Sequence, residues 1–210
     1  MMCFEKINKL GRYLTLICIT CSMTAWAQKD VTPSPALQLR TNGLFDLTAC
    51  PNIGLEIQTD LGLAWQLDYV GAWWNSDSRH RYFSNYAFLT EIRYYVNHKA
   101  TDYPFLGHHV GVYGMMATYD FEFGSTGYMS PDLDRTWSIG LSYGFSKKLN
   151  KKLSLDLTVG LGYFTSLYDV YEPMADNLGY LRTDQRRMNF FGPTKLEISL
   201  VWNLNYLNRP

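Results

Sequence analysis

"NFFGPTKLEISLVWNL", Asn189–Leu204, lies near the end of the chain. From Thr194 onward Leu196, Ile198, Leu200 and Trp202 alternate with Lys195, Glu197, Ser199 and Asn203. A period of two is a strand with one apolar and one polar face. The fold turns on which of those faces points inward.

The same alternation recurs upstream. "LQLRTNGLFDLT" sets Leu37, Leu39, Phe45 and Leu47 against Gln38, Arg40, Asn42 and Asp46. "NIGLEIQT" sets Ile53, Leu55 and Ile57 against Asn52, Glu56 and Gln58. "LAWQLDYVGAW" places Trp65 and Trp73 opposite Gln66 and Asp68, and "YAFLTEIRYYV" places Tyr86 and Tyr94 opposite Glu91 and Arg93. "GHHVGVYGMMATY" is a fifth segment whose facing the pattern leaves open. "WSIGLSYGF" and "LSLDLTVGLGY" alternate large apolar residues with Ser, Gly, Thr and Asp156. With the opening stretch these make eight expected strands, and no segment carries sustained helical periodicity.

Connections alternate in length. "DLG", "NHKATDYP" and "KKLNKK" are short or moderate, whereas "WNSDSRHRY", "DFEFGSTGYMSPDLDR" and "SLYDVYEPMADNLGYLRTDQRRM" are long and polar. Short turns on one side and long loops on the other characterise outer-membrane barrels. Aromatics fall at the strand ends: Trp65 and Trp73, Tyr86 and Tyr94, Trp137 and Phe145 are each eight residues apart, with Trp202 on the last strand. Eight residues span roughly 26 Å of strand at ~3.3 Å per residue. Two aromatic girdles around an aliphatic band match a bilayer. The expectation is therefore an all-β, eight-stranded antiparallel up-and-down transmembrane barrel with its apolar faces on lipid.

That facing sends Arg40, Asp46, Glu56, Asp68, Glu91, Arg93, Asp156, Lys195 and Glu197 inward. An eight-stranded interior is filled by side chains, so these charges must pair with one another. The reading is a structural polar network, with Gly140, Gly144, Gly160 and Gly162 leaving room for long side chains. An ion path or acid–base site is the functional alternative.

Other chemistry is thin. His108 and His109 have no spaced metal-ligating partners, and "SPDLD", Ser130–Asp134, lacks the spacing of a calcium loop. Ser76, Ser78 and His80 share a loop without an orienting acid. No cofactor, metal or catalytic residue is expected, and the zero net charge from 19 basic and 19 acidic residues gives no basic stripe for nucleic acid.

Lys6, Lys9 and Arg12, the apolar "YLTLICITCSM" and the small-residue site "AWA" at Ala25–Ala27 form a secretory signal pattern. Residues 1–27 are expected to be removed, 28–35 to form a short periplasmic lead and 36–210 the barrel. Cleavage leaves Cys50 as a lone cysteine with no assigned role, so no internal disulfide is expected.

"LRTNGLFDLTACPNIGLEIQ", "FLTEIRYYV" and "FFGPTKLEISLVW" resemble the Lys/Arg-Thr-Asn…Pro-Asn-x-Gly-x-Glu, Glu-x-Arg-Tyr and Gly-Pro-Thr-Lys motifs of a known family. That family is a domain-of-unknown-function group of small outer-membrane barrels often encoded near fimbria-assembly genes. Here the chain continues past Tyr206 with "LNRP", where such barrels commonly finish on an aromatic. The resemblance implies an eight-stranded barrel, an outer-membrane location and a fimbrial context, and it supplies no catalytic residues.

Together these readings predict a monomeric, non-enzymatic outer-membrane protein. It would serve as surface scaffold, adhesin or partner of a surface appendage, in contact with outer-membrane lipid and other envelope proteins. A lipid-modifying enzyme with a rim active site and a soluble secreted ligand-binding barrel are the alternatives.

Overall fold

The structure, a computed structural model, describes residues 36–59, 61–76, 81–96, 105–150, 152–173 and 180–204. The expected signal segment, the lead, Ser78, His80 and the "LNRP" end lie outside these residues.

Nine antiparallel strands form a ring: β1 (Ala36–Asn42), β2 (Asn52–Gln58), β3 (Leu63–Ser76), β4 (Arg81–Tyr95), β5 (Gly107–Phe123), β6 (Thr126–Ser130), β7 (Thr136–Lys148), β8 (Leu153–Pro173) and β9 (Tyr180–Asn203). Neighbours pair in the order β1-β2-β3-β4-β5-β7-β8-β9, and β9 returns to β1 through Gln38↔Asn203 to Asn42↔Ser199. The strand absent from the sequence expectation is β6, which folds back on β5 and also pairs with β8 at Gly127↔Tyr171 to Met129↔Asp169. Gly124, at φ 80°, supplies the left-handed residue of the tight turn between Phe123 and Thr126. No helix among the described residues is long and apolar enough to cross a membrane.

Facing follows the two-residue period. In β9 Leu196, Ile198, Leu200 and Trp202 are exposed, while Lys195, Glu197, Ser199 and Val201 are buried. All seven girdle residues, Trp65, Trp73, Tyr86, Tyr94, Trp137, Phe145 and Trp202, point outward. Trp65, Tyr94, Phe145 and Trp202 lie toward the end with short turns. Trp73, Tyr86 and Trp137 lie toward the end with long hairpins.

Two expectations are corrected. The segment Leu37–Thr48 is not one strand: β1 stops at Asn42 and a five-residue helix, α1 (Gly43–Leu47), follows. Asn42 ends the strand because its side-chain oxygen accepts from Leu44 N at 3.1 Å, an N-cap in place of a further ladder bond. Phe45, Asp46 and Leu47 therefore do not alternate across a sheet. The long polar loops, second, are largely extended strand. β8 and β9 stay paired out to Pro173↔Tyr180, and β3 and β4 out to Ser76↔Arg81.

The interior is layered. Toward the short turns Ala36, Ala64, Tyr95 and Phe105 pack together. Toward the hairpins Cys50, Val70, Ala72, Ala87 and Ala117 pack with Phe45 and Phe83. Charged side chains fill the space between.

Candidate functional site

The charged layer is built from opposite walls. Arg40, from β1, donates to Glu56 at 3.0 Å, Gln66 at 2.9 Å, Asp156 at 2.7 Å, Glu197 at 3.2 Å and Ser199 at 3.1 Å. Its Nε lies 3.8 Å from Asp68. Arg93, from β4, reaches Asp156 at 2.9 Å, Glu197 at 3.0 Å, Glu91 at 3.2 Å and Glu56 at 3.5 Å. Arg93 Nε is 3.1 Å from Glu91 Oε1 but off the N–H direction, so this contact is an ion pair without a hydrogen bond. Lys195 contacts Glu91, sits 3.3 Å from Glu197 and lies over the Tyr113 ring at 5.4 Å.

Eight of the nine residues expected to line the interior thus meet in one cluster. Asp46 does not. It sits on α1, exposed, where Thr41 donates to it at 2.8 Å and Asn52 Nδ2 at 2.8 Å. Asn52 also accepts from Asn42 N at 2.6 Å, and Asn42 Nδ2 donates to Leu196 O at 3.4 Å. Thr41, Asn42, Asp46 and Asn52, polar residues of the "RTNGLFDLTACPN" stretch, therefore form a bracket. It ties α1 to β1, β2 and β9 where the first two strands stop short.

The cluster takes in further members beyond the nine charged residues. His109 Nε2 lies 2.8 Å from Asp156 Oδ1, and Ser146 donates to the same oxygen at 2.8 Å. Both arginines are also on Asp156, and among the described residues His109 Nδ1 has no hydrogen-bond partner. Tyr95 donates to Glu56 Oε1 at 2.9 Å, Gln66 contacts Asp68 and Ser142 contacts Glu91. The facing of β5 would have revealed His109 and Tyr113, because both share a parity with the buried Ala117. The glycines make the room: a Cβ on Gly160 would lie 2.6 Å from Tyr113 and 2.8 Å from Lys195 Cβ.

Both oxygens of each of Glu56, Asp68, Glu91, Asp156 and Glu197 contact a cation, hydroxyl or amide. Buried carboxylates held this way are anchored on every side. They cross-link strands far apart in sequence, such as β1 with β8 and β4 with β9. Among the described residues no group of three or more His, Cys, Asp or Glu is arranged to hold a metal ion. Within "SPDLD", Ser130 is engaged with Thr136 and Asp132 with Arg135.

A second polar group lies beyond Met116, toward the hairpins. Tyr119, Ser166, Thr136 and Ser130 form a hydroxyl chain with links of 2.8, 2.7 and 2.8 Å. Tyr171 donates to Asp120 at 2.6 Å, and burial raises the Asp120 carboxyl from its ordinary value. Cys50, between α1 and β2, is buried in the apolar layer.

No curated protein and no solved structure matches the chain. A family model described as "Protein of unknown function (DUF3575)" matches residues 13–204. That span covers nearly all of the chain and includes the bracket and every strand of the ring, so the chain belongs to the DUF3575 family.

Proposed function

We propose that this chain is an eight-stranded outer-membrane β-barrel, with β6 a spur on the β5–β7 connection. It would be exported by a cleaved signal segment and act at the cell surface without catalysis. The observation that carries this is the inverted wall. Leu141, Ile139, Leu161 and Leu196 face outward in a continuous apolar surface, between two levels of Trp and Tyr. Charge fills the inside. In water so large an apolar surface would drive association; against acyl chains it is the favourable arrangement. Closure through β1–β9 leaves the band no open strand edge at that pairing.

On this reading the short turns face the periplasm and the long hairpins the outside. The surroundings are outer-membrane lipid, and the hairpins present a rigid platform to an envelope partner, in keeping with a role beside a surface appendage. The charged layer serves the barrel, because its carboxylates are all occupied and apolar layers lie above and below it.

Fractionation and gel migration test the reading. The chain is expected in outer-membrane fractions, and an unheated sample in SDS should migrate differently from a heated one. Recovery from the soluble periplasm with no heat-dependent shift would overturn it. Deleting the gene should reduce display of a surface appendage, and the restored chain should rescue it; unchanged display would remove the appendage role and leave the barrel.

A further inference from the structure

The two edges of β9 are treated differently. One pairs with β8 along nearly its whole length, from Trp202 to Tyr180. The other is covered by β1 only over Ser199–Asn203, and by the Asn42 side chain at Leu196 and Ile198. From Tyr180 to Phe191 all twelve residues are exposed, and among the described residues no strand pairs with that edge. Twelve residues span roughly 40 Å. Every second one directs its N–H and C=O away from β8, an open template for another strand.

Charge says what fits. This stretch carries Arg182, Arg186 and Arg187 against one acid, Asp184. Arg186 is held by Asp184 at 2.8 Å and Arg182 by Asp169 at 3.1 Å. Arg187 makes no ion pair among the described residues and lines a pocket over β7 and β8 with Asp132, Asp134, Trp137 and Tyr163. A second copy of this chain suits the edge poorly. Two copies in one membrane share an orientation, so in-register β9 strands would run alike and set arginine beside arginine, an unfavourable pairing.

We propose that the free edge of β9 binds an extended acidic segment of a second protein by strand addition. Main-chain bonds would supply affinity, and carboxylates opposite Arg186 and Arg187 would supply selectivity. The proposal rests on the barrel reading, which puts the Tyr180–Arg187 part of this edge beyond the Trp137 level, outside the cell.

Three fluorescein-labelled twelve-residue peptides would test it on the full chain in detergent micelles. One repeats Glu-Glu-Thr-Val, which puts carboxylates on both faces of the added strand, one has Lys for Glu, and one is the first N-methylated at every residue. The acidic peptide should bind saturably, with its lysine analogue at least about tenfold weaker, a difference of roughly 1.4 kcal/mol. The N-methylated peptide should not bind. Arg186→Glu with Arg187→Glu, both exposed, should weaken the acidic peptide by about tenfold and leave the heat-dependent gel shift unchanged. Failure of the acidic peptide to bind would overturn the proposal, as would equal binding of the lysine or methylated peptide. A chain dimer that the peptide cannot dissociate would also overturn it. A soluble chain that binds the acidic peptide would sink the barrel reading alone; a membrane-embedded chain that ignores the peptide would sink this proposal alone.

Discussion

Two of the interior layers are built on opposite principles. In the middle, Arg40, Arg93 and Lys195 reach five carboxylates, and most of these contacts join strands that are not consecutive in sequence. Nearer the hairpins, Val70, Ala72, Ala87, Ala117 and Cys50 are small and close-packed, and Phe45 from α1 completes the layer. Long charged chains can bridge the full interior, but they must all be satisfied at once. Small apolar chains cannot bridge it, so the chain folds α1 over the gap left by two seven-residue strands. The middle layer should thus be brittle and strongly coupled, the upper one tolerant and local.

Arg93→Ala is the most severe test of that contrast. It strands Glu91, Asp156 and Glu197 without one of their cations, and should cost about 3–5 kcal/mol in urea folding titrations. Replacing Glu91 and Arg93 together with neutral residues of similar size should cost clearly less than the sum of the singles. Additive losses would show that the layer is not a coupled unit.

The wall itself comes next. Leu157→Arg, on the outer face, should cost roughly 2–4 kcal/mol in lipid vesicles. Thr158→Ser, one residue along and buried, should be mild. Equal effects would mean that the strand is reversed. Gly160→Ala forces the Tyr113 ring and Lys195 to move, and should cost about 1–3 kcal/mol by overpacking.

In the upper layer Cys50→Ala should change stability by no more than about 1 kcal/mol, because one sulfur leaves a site already lined by small residues. A loss as large as that of Arg93→Ala would erase the distinction between the layers. The smallest effect concerns pH. Burial raises the Asp120 carboxyl, so the folded state holds that proton more tightly than the unfolded one. Its contribution is fully present below the unfolded pKa and is lost as pH rises through the folded value. Asp120→Asn should flatten that shallow acid-side slope, read as the difference between the two proteins across the carboxylate range.

The middle layer was legible because charges at every second position of an apolar strand have few explanations. Arg40, Glu91, Arg93, Lys195 and Glu197 each announced their face. The upper layer was not legible, since alanine and cysteine at the same parity carry no signal. Phe45 and Leu47 misled because they keep the strand parity of Leu37 and Leu39, and Asp46 because it keeps that of Arg40, while a cap at Asn42 turns the chain into a helix. In β5, Gly, His and Met occupy both parities, which hid His109. Tyr128 and Met129 read as loop beside Gly124 and Pro131, yet they pair with β8.

The central claim is that the apolar face of these strands meets lipid and the charged face meets itself. A spin label carried in turn at each position from Lys195 to Trp202, in a Cys50→Ala background in bilayers, tests it most directly. The account predicts collision with oxygen peaking at Leu196, Ile198, Leu200 and Trp202, and little access for a water-soluble nickel complex there. Peaks at Lys195, Glu197 and Ser199, or nickel access along the apolar positions, would contradict it.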